Sequence, residues 1–145
     1  LTLLLVMDSY VELYKGGIVP LADFVNMPYD RDILVRVIVK KTAAHYSYKS
    51  VRISKTDFPV LTCAAALTQK GVQAAVGARP AKAALVKDAE QLATLPMTAE
   101  KAQAFAEYAA GLLPTETNPR GSAAYRTHLI KVLTARCLTE LGGKA

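Results

Sequence analysis

Tryptophan is absent from this 145-residue sequence, aromatic residues make up 7% of it, and it has two cysteines and two histidines. Each scarcity excludes a class of chemistry. Cys63 and Cys137 stand far apart, and neither His45 nor His128 lies near them in sequence, so no spacing supports a bound zinc or other metal. Two cysteines are too few for the disulfide framework of a small secreted domain. Cys63 falls in the apolar run Val60 to Leu67, and Cys137 in an apolar helical stripe. Both read as buried small hydrophobes in a reducing compartment, and a disulfide between them has no support from the sequence. Long apolar runs are missing too. Leu1 to Met7 is far shorter than the roughly 20 residues of a membrane-spanning helix. It also lacks the basic start and small-residue cleavage site of a signal peptide, and reads as a strand continuing from a preceding domain.

Glycine-rich signatures are equally scarce. There is no GxGxxG, no phosphate-binding P-loop and no GxSxG nucleophile elbow. The acids Asp8, Glu12, Asp23, Asp30, Asp32 and Asp57 are scattered, with no pair spaced for acid–base work. The formal net charge is +6, which suits an acidic partner. The densest basic groups, Lys40-Lys41 and Lys49, Arg52 and Lys55, form no block of the kind that marks a nucleic-acid interface. Neither nucleic acid nor membrane is therefore expected as a partner.

What is present is an ordinary globular composition, 52% hydrophobic and 21% charged, at a length that suits one domain with a real core. Residues 2–14 read as a β-hairpin, followed by a turn at Lys15-Gly16-Gly17 and a short connection, Ile18 to Phe24, with Pro20 inside it. Pro28-Tyr29-Asp30 is a second break. The β-branched run Ile33 to Lys40 predicts a strand, and His45 to Arg52 an extended segment. Val60 to Gln69 and Val72 to Gly77 flank Lys70-Gly71 as a hairpin. The alanine run Ala64-Ala65-Ala66 is also compatible with helix, but both segments are short and bounded by turn residues.

The last third has helical spacing. Leu85, Val86, Ala89, Leu92 and Ala93 predict a helix over Ala83 to Leu95, ended by Pro96. Thr98 caps a second, with Ala102, Phe105, Ala106, Ala109 and Leu112 on one face, stopped by Pro114. Ser122 caps a third, in which Tyr125, Leu129, Leu133, Cys137 and Leu141 recur and Gly142-Gly143 terminates. Strands followed by helices argue for an α+β fold: a small antiparallel sheet of three to four strands packed on one face by three helices.

Two segments concentrate polar groups. The first runs from Tyr46 to Asp57 and holds two phenols, Lys49, Arg52, Lys55 and a carboxylate. It suits a ligand- or partner-facing loop, or a solvated edge strand whose lysine blocks further pairing. The second is Asn118 to Arg126. Arg120 and Arg126 near a helix start suit an anion, but Ser122 as cap and Gly121 as bend explain the same residues without one.

These segments also carry a resemblance. The flavoprotein subunits of molybdenum hydroxylases, the xanthine and carbon monoxide dehydrogenase relatives, have in their C-terminal domain a lysine and arginine segment ending in Asp, followed by an alanine-rich strand. Lys49, Arg52, Asp57 and Ala64-Ala65-Ala66 resemble it. Arg120-Gly121-Ser122-Ala123-Ala124-Tyr125-Arg126 is similar to the family's announcement of its closing helix. Pro20-Leu21-Ala22-Asp23-Phe24 is similar to its exit from the FAD-binding domain, and Val76-Gly77-Ala78-Arg79-Pro80 to the end of its hairpin. The sequence departs from the family at Ile53, where a second arginine is common, and near Lys55, where an acid is common. Both changes bear on use of a nicotinamide acceptor.

The resemblance implies that residues 1–24 are a remnant hairpin and connection from a preceding FAD-binding domain, and residues 25–145 the C-terminal α+β domain. It implies a cytoplasmic oxidoreductase subunit that relays electrons between iron–sulfur clusters and an acceptor such as NAD. The FAD would be held mostly by the N-terminal domain of the same subunit and absent from this chain, which would not be active alone. Iron–sulfur and molybdopterin subunits are the implied partners. No residue is expected to be catalytic. Lys49, Arg52 and Asp57 are implied at the cofactor, Lys49 stabilising negative charge on the flavin. The alternative is a flavin-free domain that docks subunits, with the alanine stripe on residues 99–113 as a contact face; the same stripe also reads simply as core.

Overall fold

In a computed structural model, which describes residues 1–28 and 31–143, the chain forms two antiparallel sheets and four helices among the described residues. Tyr29 and Asp30, part of the expected second break, lie outside the described residues. The first unit comprises α1 (Thr2–Val6), β1 (Ser9–Leu13), β2 (Gly17–Pro20), α2 (Leu21–Phe24) and β3 (Leu34–Val39). The second comprises β4 (His45–Val51), β5 (Leu61–Thr68), β6 (Gly71–Gly77), β7 (Ala84–Lys87), α3 (Ala99–Leu112) and α4 (Ala123–Gly142). The expected α+β class therefore holds.

The opening segment corrects the sequence reading. Residues 2–6 are helix, and the hairpin is built one step later, from β1 and β2 around Lys15-Gly16-Gly17, with Val11 opposite Val19. Leucine, unlike valine or isoleucine, has no branch at Cβ to oppose a helix. The helix buries Thr2, Leu5 and Val6, which share one face at i, i+3 and i+4 spacing. Gly17 supplies the turn's left-handed backbone, at φ 68°. The piece expected as a plain connection is divided between β2 and α2.

The four-stranded sheet has the order β4-β5-β6-β7. The hairpin reading of residues 60–77 holds, with Ala65 opposite Ala74. Because β5 is covered on both faces, it reads as a continuous apolar run without alternation. Leu61, Cys63 and Ala65, with Val72, Ala74 and Val76 of β6, pack against α3 and α4. Ala64, Ala66 and Ala75 face the other way, toward Leu5, Val6 and Leu21. Alanines on that second face let the short helix approach the sheet closely. Gly77 does the same at the strand end: a Cβ there would come within 2.9 Å of both Thr2 Cγ2 and Thr62 Oγ1.

The helix expected over Ala83 to Leu95 is not formed. Residues 84–87 pair with β6, Val86 opposite Ala74. The chain then turns on the Asp88 carboxylate, which accepts the Leu92 and Ala93 N–H groups at 2.9 and 2.8 Å. The sheet's need for a partner on β6 outweighed a weak helical period. Two long helices, not three, thus cover the sheet's first face, and α1 lies on its second.

Both remaining helices are capped as expected. Thr98 accepts the Lys101 N–H at 3.3 Å and Ser122 the Tyr125 N–H at 3.2 Å. The alanine stripe is core: Ala102, Phe105, Ala106, Ala109 and Ala110 are buried, which excludes it as a docking face. Leu112, expected on that face, is exposed and Leu113 is buried in its place, while Tyr125 of the α4 stripe is also exposed.

Candidate functional site

The two polar segments meet at one end of the four-stranded sheet. After β4 the chain turns through residues 52–60, and the loop before α4 returns beside that turn. Arg52 Nη1 donates to the Asp57 carbonyl at 2.5 Å, closing the turn. The Asp57 carboxylate accepts the Phe58 N–H at 2.7 Å and stands 3.8 Å from Arg120 Nε. The Arg120 guanidinium lies over the Phe58 ring, 5.3 Å from its centroid. Ile53 and Phe58 are 70% and 73% exposed. The result is a rim of two guanidiniums and a carboxylate interleaved with bare apolar groups.

Lys49 is not part of that rim. It lies on β4 opposite Cys63 of β5, on the face that packs against α4. Its Nζ donates to Glu140 Oε2 at 2.7 Å, and the Ser47 hydroxyl donates to the same oxygen at 2.9 Å. The Glu140 hydrogen bond raises the Lys49 pKa, against a smaller opposing effect of burial. The fold thus brings Arg52 and Asp57 together and sets Lys49 apart in its own ion pair. Of the segment Tyr46 to Asp57, the part on β4 is an edge strand, with β5 its one neighbour among the described residues.

Sequence reasoning missed Glu140. Its signal was position: it lies three residues beyond Cys137, beside the apolar stripe of α4, where a charged side chain needs a partner. Arg126, weighed as an anion ligand, is instead spent on the protein. Its side chain is 1% exposed. It donates to the carbonyls of Val60, Glu116 and Gly121 at 3.0, 2.7 and 2.5 Å and to Asn118 Oδ1 at 2.6 Å. Burial, and secondarily the Arg120 charge, lowers its pKa from the ordinary arginine value. Arg79 is held likewise, by the Lys82 and Pro114 carbonyls at 3.0 and 2.7 Å. Both are fasteners that tie the loops to the sheet.

Two concavities flank the sheet's second face. One, of about 450 Å³, is lined by Thr2, Leu3, Tyr48, Thr62 and Ala78; Ala78 is held at φ 59°, a left-handed conformation unusual for a residue with a Cβ. The other is a groove of about 670 Å³ with Leu5, Ser9, Tyr46, Lys70 and Lys87 on its walls. Ser9 Oγ is buried there without a hydrogen-bond partner among the described residues. No group of three or more His, Cys, Asp and Glu side chains able to hold a metal occurs among the described residues. No described helix is long and apolar enough to cross a membrane.

Known proteins resemble this arrangement. The family model for the CO dehydrogenase flavoprotein C-terminal domain matches residues 46–141. Carbon monoxide dehydrogenase from Hydrogenophaga pseudoflava, in a form lacking the Mo-pyranopterin moiety of its molybdenum cofactor, superposes with a TM-score of 0.81 at 18% identity, over 99% of this chain and 56% of that one. Quinoline 2-oxidoreductase from Pseudomonas putida 86 gives 0.76 at 21% identity, over 99% and 55%. Reconstituted CO dehydrogenase from Oligotropha carboxidovorans gives 0.73 at 18%, over 99% and 56%. The chain therefore spans little more than half the length of these structural relatives. A search of curated proteins gives no match.

Proposed function

From the premise that the chain belongs to the CO dehydrogenase flavoprotein C-terminal domain family, the C-terminal domain of the FAD subunit in molybdenum hydroxylases, we propose that it closes one side of a flavin site in such an enzyme. The family match over residues 46–141 carries this reading. The larger protein would be a cytoplasmic oxidoreductase passing electrons between iron–sulfur clusters and an acceptor such as NAD, with molybdopterin and iron–sulfur subunits as partners. FAD, when bound, supplies the redox chemistry and the protein positions and tunes it.

The residues present do not fit a whole FAD. A dinucleotide needs donors around its pyrophosphate, typically a glycine loop at a helix start. This sequence has no such motif, and Arg79 and Arg126 are already bonded to carbonyls. What fits is a wall. We assign Arg52 and Asp57 to the cofactor-facing rim, with Arg120 beside them. Lys49 belongs to the same end of the sheet, where its charge is largely balanced by Glu140; its part is to hold the β4 edge against α4.

The rest of the subunit has a surface to meet. On β3, Leu34, Val35, Val37 and Val39 are each at least 40% exposed, as are Ile18 and Ile33 nearby. An apolar row of this length on a monomer marks an interface, and the N-terminal FAD-binding domain is the occupant we propose. The same row favours the second reading, a flavin-free docking domain.

The two readings separate on flavin absorbance in the visible range. The first expects flavin to co-purify with the whole subunit, to be absent from this chain alone, and to be held more weakly after Arg52→Ala or Asp57→Asn. A whole subunit that assembles with its partners yet retains no flavin would establish the second.

A further inference from the structure

Cys63 and Cys137 are separated by most of the domain in sequence, yet four observations place them face to face. Cys63 lies directly opposite Lys49 in the β4–β5 register. Lys49 reaches Glu140 on α4, with 2.7 Å between Nζ and Oε2. Cys63 Sγ is 3.4 Å from Thr134 Oγ1 on the same helix. Cys137 falls midway between Thr134 and Glu140, at the i+3 steps that share a helix face. Both cysteines are free, and both are fully buried in one apolar cluster. We propose that Cys63 and Cys137 form an oxidisable dithiol that a hydroperoxide converts to a disulfide joining sheet to helix.

The pair is unequal. Cys137 loses its proton the more readily, chiefly through the neighbouring Cys63 thiol; the Ser47 hydroxyl and the Lys49 ammonium act in the same direction, while burial and Glu140 oppose them. The same proximity, and burial, push the Cys63 thiol up. Cys137, one helical turn from the part-exposed Lys49–Glu140 pair, is the nucleophile, and Cys63, on a central strand, the resolving thiol. The Cys137 thiolate attacks one peroxide oxygen; the S–O bond forms, the O–O bond breaks, and the departing hydroxide takes a proton to become water. The Cys63 sulfur then attacks the sulfenic sulfur; the S–S bond forms, the S–O bond breaks, and the second hydroxide leaves with the Cys63 proton as water. With hydrogen peroxide as the hydroperoxide, two thiols lose two electrons between them and one peroxide is reduced to two waters.

Access is the demanding step. Cys137 lies beneath the Lys49–Glu140 pair, whose side chains are 33% and 37% exposed, at the edge strand of the sheet. Both thiols are themselves fully buried, so a small neutral oxidant reaches them as the α4–β4 contact opens. The closed ring then fastens α4 to β5 across the chain between residues 63 and 137, which raises thermal stability by restricting the unfolded chain.

The test treats the purified chain with hydrogen peroxide under native conditions, unfolds it in N-ethylmaleimide, and reads the intact mass and the monomer–dimer ratio. The proposal expects a monomer lighter by two hydrogens that takes no maleimide, with a higher melting temperature that dithiothreitol reverses. Cys63→Ser is expected to stop at added oxygen on Cys137, and Cys137→Ala to keep one fully reactive thiol. Two maleimides on the peroxide-treated wild type, or gain of oxygen without loss of both thiols, overturns it. So does a cross-link found in dimers alone.

Discussion

The two sheets of this molecule differ in a way that propensity does not anticipate. β3, rich in valine and isoleucine, is the most strand-like stretch of the sequence, yet five of its six residues are exposed. β5, half of it alanine and cysteine, has poor intrinsic β preference, yet five of its eight residues are buried and none is exposed. Propensity identifies an extended segment, whereas burial is decided by what lies on either side. β5 is covered by α4 on one face and by α1 on the other, and small side chains are what let both layers close in. β3 has β1 on one edge and an uncovered apolar face. The second sheet is the body of the domain; the first presents a surface.

Variants of the body are expected to cost the most. Phe105→Ala empties the fully buried centre of the α3 contact and should destabilise the chain by about 4 kcal/mol, read by urea unfolding. Arg126→Met keeps the packing volume but strips donors from three carbonyls and Asn118; a loss of about 3 kcal/mol is expected. An effect under about 1 kcal/mol would mean that water replaces those donors easily. Gly77→Ala must push aside both Thr2 and Thr62, for about 1–2 kcal/mol. It should also loosen α1, seen as faster proteolysis near the N-terminus.

The surface sheet should respond differently. Val35→Thr with Val37→Thr is expected to change the stability of this chain by no more than about 0.5 kcal/mol, while weakening its contact with the FAD-binding domain proposed to cover β3. A large stability loss in the isolated chain would erase the contrast between the sheets.

The smallest effect concerns Lys49 and Glu140. The pair is about one-third exposed, and solvent screening limits it to roughly 0.5 kcal/mol. The folded-state pKa of Lys49 is raised above its ordinary 10.5. The pair's contribution is therefore fully present below that value and lost as pH climbs past it. Lys49→Met should flatten stability between neutral and strongly alkaline pH relative to the wild type, measured by unfolding across that range.

Much of this was legible in the sequence because it depended on local chemistry. Thr98 and Ser122 announce their helices as caps, Lys70-Gly71 marks its hairpin, and the stripe on α4 marks its buried face. The errors share a cause. The Leu1 to Met7 run and the Ala83 to Leu95 stretch are short segments whose state was settled by distant partners: α1 by the alanine face of β5 and β6, β7 by the open edge of β6. The site followed the same division. Arg52 and Asp57 are close in sequence and meet, whereas the Lys49–Glu140 contact spans most of the chain. Resemblance could nominate Lys49 but not Glu140, the partner that the fold sets against it.

The central claim, that one sheet is the body and the other an interface, is tested most directly by amide hydrogen exchange on this chain alone and on this chain joined to the FAD-binding domain proposed as its neighbour. The account predicts slow exchange for β5 and β6 in both proteins. For β3 it predicts fast exchange alone and strong protection when joined. Equal exchange of β3 in the two would contradict it.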